Sequence, residues 1–282
     1  MLRWDVDDKA LLRNEQQVAR FKRGAGGLER TAAKAGKALA GMFAAGAVAR
    51  GARDATREAL AFDRTLADLQ ALLPGQTQRV KDLGAAIRQL AVQTGKDAGD
   101  LSRATYQIVS SFGDTADTVD SLALATQVAT AGNTNAASSI DLLSGVTLAF
   151  GDTSLAAQRK VADLAFTTVR LGKTTIPELS ASVGTAATQF ATLGASQEEL
   201  FASFTALAGV TGNTQNAGTQ LNALGTTLLA RTKAMDKAFK ALGVTSAQAL
   251  VAERGGLIPA MRALVGTTDG SAEAIQKLVG NV

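Results

Sequence analysis

The feature that most constrains this chain is a series of glycine stops at regular intervals. From residue 76 to about 245, apolar residues fall at three- and four-residue steps, as in Val80, Leu83, Ile87 and Leu90, and later Leu221, Leu224 and Leu228. That spacing lines one face of an α-helix. The runs end at Gly95, Gly113, Gly132, Gly151, Gly172, Gly194 and Gly212. Glycine closes a helix because it takes the left-handed conformation without a Cβ clash. Gly132-Asn133-Thr134, Gly172-Lys173-Thr174 and Gly212-Asn213-Thr214 lie forty residues apart. Phe112-Gly113-Asp114-Thr115 returns as Phe150-Gly151-Asp152-Thr153, and Leu193-Gly194 is a degenerate third copy. One unit is therefore a helical hairpin, and periods near forty are those of α-solenoids. The following runs are expected to be capped by Asp114, Asp152 and Ser196, the last with Glu199 at capping-box spacing. Thr175 precedes Ile176-Pro177, and proline suits a first helical turn. No stretch alternates as a strand does, so the chain is read as all-α, built of elongated helices and glycine-terminated hairpins.

The N-terminal part reads differently. Trp4, Leu11, Val18, Ala25, Ala32 and Leu39 recur at seven-residue steps, with Phe21, Leu28, Ala35 and Met42 at the offset of three. This loose heptad predicts a coiled-coil-like arm whose self-association seam is Trp4, Leu11, Val18, Phe21 and Leu28. Gly24, Gly26 and Gly27 interrupt it as a hinge. A cleaner helical stripe, Phe62, Leu66, Leu69 and Leu73, stops at Pro74-Gly75. Three parts are expected: a basic Ala/Gly-rich arm over 1–75, a repetitive hairpin core over 76–245, and a helical segment over 246–282, read as incomplete. Residues 1–60 carry 12 Lys+Arg against 7 Asp+Glu, while the remainder carries 17 against 18. Asp5, Asp7, Asp8, Glu15 and Glu29 interleave with the arm's cations, as on a solvated helix, so no stable nucleic-acid site is expected there. Its longest uncharged run, residues 38–49, falls short of the ~20 residues that cross a bilayer, and no membrane span is expected.

Chemistry is scarce. The chain has no histidine and no cysteine, which removes the commonest general base, the commonest metal ligand and any thiolate site. Gly172-Lys173-Thr174 has the ending of a phosphate-binding loop, but Thr167 stands where that loop needs its first glycine. Asp114, Asp117 and Asp120 recur at three-residue steps, an arrangement explained by the positive end of a helix. No serine or threonine has a base beside it. The chain is read as no enzyme, with no metal and no cofactor. Residues 101–230 hold only 5 basic and 9 acidic residues among mostly Ala, Thr, Ser, Leu and Gly. Such uncharged faces suit packing against other helices or other subunits.

An ordered series of segments then carries a resemblance. It runs from Phe62 through Leu66-Ala67-Asp68-Leu69, Val80 to Gly95, Gly132-Asn133-Thr134, Ala149-Phe150-Gly151 and the helix Val161 to Leu171. It continues through Leu179 to Ser196, Glu199-Leu200 and Gly212-Asn213-Thr214, and closes on Ala217-Gly218-Thr219-Gln220-Leu221-Asn222-Ala223-Leu224. Over roughly residues 60–282 this resembles the core region of phage tail tape-measure proteins. The resemblance implies a structural virion protein that lies in the tail-tube lumen, sets tail length, scaffolds tube assembly and leaves before DNA ejection. It implies several copies side by side, commonly three, and contacts with the tail tube protein, distal tail or baseplate hub proteins and tail assembly chaperones. It also implies the host cytoplasm as the place of assembly. Family members are usually much longer, so a short member or an N-terminal piece is expected.

A fully helical chain of 282 residues would reach about 420 Å at ~1.5 Å per residue, and the hairpins would fold that back. The second reading, from a different class, is an α-solenoid module or adaptor that offers a surface to a protein.

Overall fold

A computed structural model describes residues 62–230 and 232–268 of the chain. The chain divides into two compact units, Met1–Leu60 and Ala61–Val282, and the described residues all belong to the second. The predicted seam of Trp4, Leu11, Val18, Phe21 and Leu28 lies outside the described residues.

The described residues form twelve helices and no strand, so the all-α expectation holds. They are α1 (residues 62–72), α2 (Thr77–Thr94), α3 (Ala98–Phe112), α4 (Thr118–Ala131), α5 (Ala136–Phe150) and α6 (Leu155–Gly172). Then come α7 (Ile176–Leu193), α8 (Gln197–Thr211), α9 (Thr214–Ala230), α10 (Lys233–Ala241), α11 (Ala247–Arg254) and α12 (Leu257–Val265). Helix α1 folds back on α2: the Arg88 guanidinium lies 5.3 Å from the Phe62 ring centroid, and Leu66 packs over Gly84.

From α2 to α9 the helices form two layers. The most extensive packing joins helices two apart in sequence, α3 on α5, α5 on α7 and α7 on α9, with α6 on α8 in the second layer. Helices two apart run parallel, with contacts in step along them: Asp100 meets Ala136 and Gln107 meets Asp141, as Ser182 lies by Gly218 and Gln189 by Gly225. Apolar side chains from both layers merge into one core, including Leu101, Ile108, Leu122, Ile140, Leu143, Val161, Leu179, Phe190, Leu200 and Phe204.

The turns separate two uses of glycine. Gly95, Gly113, Gly151, Gly194 and Gly212 take φ between 65° and 79°, the left-handed region that closes a helix. Gly132 and Gly172 do not. Gly132 has φ −89°, Gly172 is the last helical residue of α6, and Asn133 and Lys173 take the positive φ instead, at 50° and 53°. The sequence spacing located these two stops, but the reason for glycine there is room. A Cβ on Gly132 would lie 2.5 Å from Ile176 Cγ1, and one on Gly172 would lie 3.0 Å from the Thr205 Cα.

Two expected caps move as well. The cap of α6 is Ser154, whose hydroxyl accepts from the Ala157 N–H, and Asp152 instead accepts from the Ser154 N–H at 3.0 Å. Asp114 stands outside α4, whose N-cap position is Asp117. Asp114, Asp117 and Asp120 therefore do not share one helix face, because an arginine from another helix holds Asp114 in the turn. Ser196 and Glu199 do form the reciprocal capping box, and Thr175 caps α7 ahead of its proline.

Candidate functional site: the seams between repeats

Each hairpin is fastened to the next at the level of the backbone. In the layer of α3, α5, α7 and α9 the fastening sits where the four helices begin. Asp97 caps α3 by accepting from the Asp100 N–H at 2.7 Å. The buried Asp100 carboxylate then reaches across to accept from the Ala136 N–H, the first of α5, at 2.8 Å. One helix thus satisfies a free backbone donor of the next, in addition to that helix's own cap, Asn135, which accepts from the Ser138 N–H at 2.7 Å. At the following seam, the Ser180 hydroxyl donates to the Ser138 carbonyl at 2.8 Å. Between α7 and α9, Glu178 accepts from Thr174 at 3.1 Å and from Thr214 at 2.9 Å, and the two hydroxyls lie 2.6 Å apart.

Thr174 and Thr214 are the last residues of two copies of the repeated Gly-x-Thr, so the sequence repeat is itself a physical contact between repeats. Lys96 adds a bond from its ammonium to the Thr134 carbonyl, the third copy, at 3.3 Å. These bonds dispose of the phosphate-loop resemblance: the Thr174 hydroxyl is committed to Glu178 and Thr214, and Lys173 is the left-handed turn residue.

The second layer is held by ions and hydroxyls. Arg79 of α2 donates to both oxygens of Asp114 at 2.8 Å, and to the Thr115 carbonyl at 3.0 Å. This bidentate pair holds the Asp114 carboxyl below its ordinary range, chiefly through the Arg79 hydrogen bonds, with the Thr118 hydroxyl helping. Lys160 of α6 meets Glu198 of α8 at 2.7 Å and lowers that carboxyl in the same way. Thr205 donates to Thr168 at 3.3 Å across α6 and α8. Back in the first layer, Asp141 of α5 accepts from Gln107 of α3 at 2.9 Å, and burial pushes its carboxyl up.

The Arg79–Asp114 pair predicts a pH dependence. A carboxyl whose folded pKa lies below its unfolded value of about 3.9 stabilises the fold above that value. The gain is lost as pH falls through the folded pKa. Asp114→Asn is therefore expected to cost about 1 kcal/mol at neutral pH, the scale of a bidentate but partly solvated pair. Urea unfolding of both proteins should show the gap narrowing as the pH is taken below the unfolded carboxyl's value of about 3.9.

The helices also meet through missing side chains. Gly145 of α5 lies against the Cα of Gly184 in α7, and Gly132 and Gly172 admit Ile176 and the Thr205 backbone. In α9, a Cβ on Gly218 would stand 2.9 Å from the Ser182 carbonyl oxygen, and one on Gly225 would overlap the Gln189 side chain. Both glycines belong to or directly follow Ala217–Leu224, the most specific segment of the family resemblance. They are seven residues apart, two turns of helix, which puts them on the face turned to α7.

The remaining surface has three features. Val92, Leu171 and Val210 are exposed in the last turns of α2, α6 and α8. Glu199 closes its own capping box and also accepts from the Ile258 N–H at the start of α12, at 3.0 Å. Beside that contact an apolar groove of about 480 Å³ opens between α7, α8, α9 and α12. Among the described residues no acidic cluster is placed to hold a metal ion, and no helix is long and apolar enough to cross a membrane.

Sequence reasoning found the repeat stops Gly113, Gly132, Gly151, Gly172, Gly194 and Gly212, each of which the structure places at the end of a helix or one residue beyond it. It missed Asp100, Glu178, Ser180 and Arg79. A signal existed for one of them: Thr175 and Glu178 have the same spacing as Ser196 and Glu199. That spacing marks a capping box within one helix, yet the Glu178 carboxylate turns to the neighbouring repeat.

The model of a family described as phage-related minor tail protein matches residues 77–280 of the chain. No curated protein and no solved structure matches it.

Proposed function

The chain belongs to the phage-related minor tail protein family, and from that premise we propose that it acts as a tail tape measure. In this reading it lies in the lumen of the tail tube, sets tail length, scaffolds tube assembly from the host cytoplasm, and is released before DNA ejection. The observation that carries it is the seam pattern. Equivalent hairpins follow one another, each fastened to the next by contacts about forty residues apart, such as Thr174 with Thr214. A series of equal units is what a length-setting element requires.

Several copies, three by resemblance, lie side by side in this proposal. The exposed Val92, Leu171 and Val210 are side chains that such packing would cover. The tail tube protein, the distal tail or baseplate hub and the tail assembly chaperones are the proposed partners. The heptads of residues 4–42 are the proposed seam of self-association.

A second reading has its own support. Two layers of parallel helices joined as hairpins are the architecture of α-solenoid modules that bind proteins, and the groove beside α12 is a concave surface of that kind.

Deleting residues 133–172 in frame and measuring tail length by electron microscopy separates the two. If the repeats are drawn out as continuous helix in the tube, tails shorten by about 60 Å, forty residues at ~1.5 Å each. If the unit measures as a folded stack, the loss is only about 10 Å, one interhelical spacing. Tails of unchanged length would overturn the ruler and favour the adaptor.

A further inference from the structure

Helix α12 takes its cap from another helix. Its own N-cap position is Gly256, which offers no side chain to its free backbone donors. Glu199 of α8 supplies one from 59 residues away: its Oε1 accepts from the Ile258 N–H at 3.0 Å, while its Oε2 accepts from the Ser196 N–H at 3.2 Å. A carboxylate in this place also meets the positive end of the helix dipole. The approach depends on glycine. Gly256 has φ 152°, and a Cβ there would lie 2.6 Å from the Glu199 Oε1. Gly255, just before it, has φ 74°, so two successive glycines join α11 to α12.

Little else fixes this helix. It has nine residues, fewer than the ~12–15 at which a helix begins to hold without tertiary packing. Its closest packing is on α11, whereas the groove between α12 and helices α7, α8 and α9 leaves about 480 Å³ unfilled. Elements with few packed contacts are those that open while the rest stays folded.

We propose that α12 is a hinged flap on the last repeat, turning about Gly255–Gly256 and latched shut by Glu199. Latched, it buries Leu257, Ala260 and Leu264. Opened, it bares these side chains together with Phe190 and Leu221, groove walls that are buried in the latched state. The same carboxylate closes the α8 capping box, so a change at Glu199 acts on both helices, whereas one at Ser196 acts on the box alone.

The chain has no cysteine, so a single introduced thiol reports opening without background. Ala260→Cys in α12 and Ala186→Cys in α7 are placed separately in the full chain, both at buried positions, and circular dichroism checks that each variant keeps its helices. Reaction with a thiol reagent under native conditions is expected to be at least about tenfold faster for Ala260→Cys. Adding Glu199→Ala, or Gly256→Ala from the hinge side, should speed Ala260→Cys severalfold further and leave Ala186→Cys unchanged. Adding Ser196→Ala should leave Ala260→Cys unchanged. Equal rates for the two thiols in the parent chain would mean that α12 opens only with the whole domain, and would overturn the flap. A fast Ala260→Cys that is indifferent to Glu199→Ala and Gly256→Ala, or as sensitive to Ser196→Ala as to Glu199→Ala, would overturn Glu199 as its latch.

Discussion

Replacing Gly218 and Gly225 together by alanine is expected to destabilise the protein by about 2–5 kcal/mol, although alanine is the better helix former. Each Cβ would press into α7, on the Ser182 carbonyl at one position and the Gln189 side chain at the other. Overpacking of a tight contact costs about 1–3 kcal/mol per site, and two sites on one seam need not add. The opposite sign is expected for Gly209→Ala. Gly209 also lies inside a helix, α8, but nothing stands within 4 Å of its Cβ position, so the helix gains up to about 1 kcal/mol. Thermal unfolding of the two proteins side by side checks this. Unfolding of a domain this size shifts by about 2–4 °C per kcal/mol. Equal effects from the two proteins would mean that helix propensity, rather than the seam, governs these glycines.

The other large effect is expected from Phe204→Ala. The Phe204 side chain is fully buried, and its ring edge would lie 3.5 Å from a Cβ on Gly218. The ring thus fills the space beside the α7–α9 seam that the glycine opens. Removing it forfeits the transfer of a large apolar group and leaves a cavity, together about 3–5 kcal/mol. Denaturant unfolding should show a lower midpoint with an unchanged slope. An unchanged midpoint would mean that the core around α8 carries little of the stability.

These two sites show what was legible in the sequence and what was not. Helix periodicity and glycine stops are local signals, so the hairpins and their period could be read directly. The Gly-x-Thr repeat was also visible, but its meaning was not, because Thr174 meets Thr214 only after two hairpins have folded. Gly132 and Gly172 look the same as Gly151 and Gly194 in the sequence. Yet two of the four are there for neighbours on other helices, Ile176 and Thr205, which no local pattern names. Asp114 fails for the same reason: an acid beside a helix start reads as a cap until Arg79, 35 residues earlier, claims it. The seven-residue spacing of Gly218 and Gly225 lay within or beside the segment that carries the family resemblance most specifically. Its physical basis, a backbone approach to α7, became visible only with both helices in place.

Because each hairpin is held chiefly by its nearest neighbours, the array has a mechanical grain. A pull applied along the order of repeats loads one seam at a time, and the Glu178 and Asp100 bonds break singly. Force on one end would therefore peel hairpins off in succession, each freeing about 130–145 Å of slack as forty residues go taut at ~3.3–3.6 Å each. A core whose contacts joined distant parts of the chain would have to give way all at once. This one can be unravelled in steps, and threaded through a narrow passage without first losing all its structure.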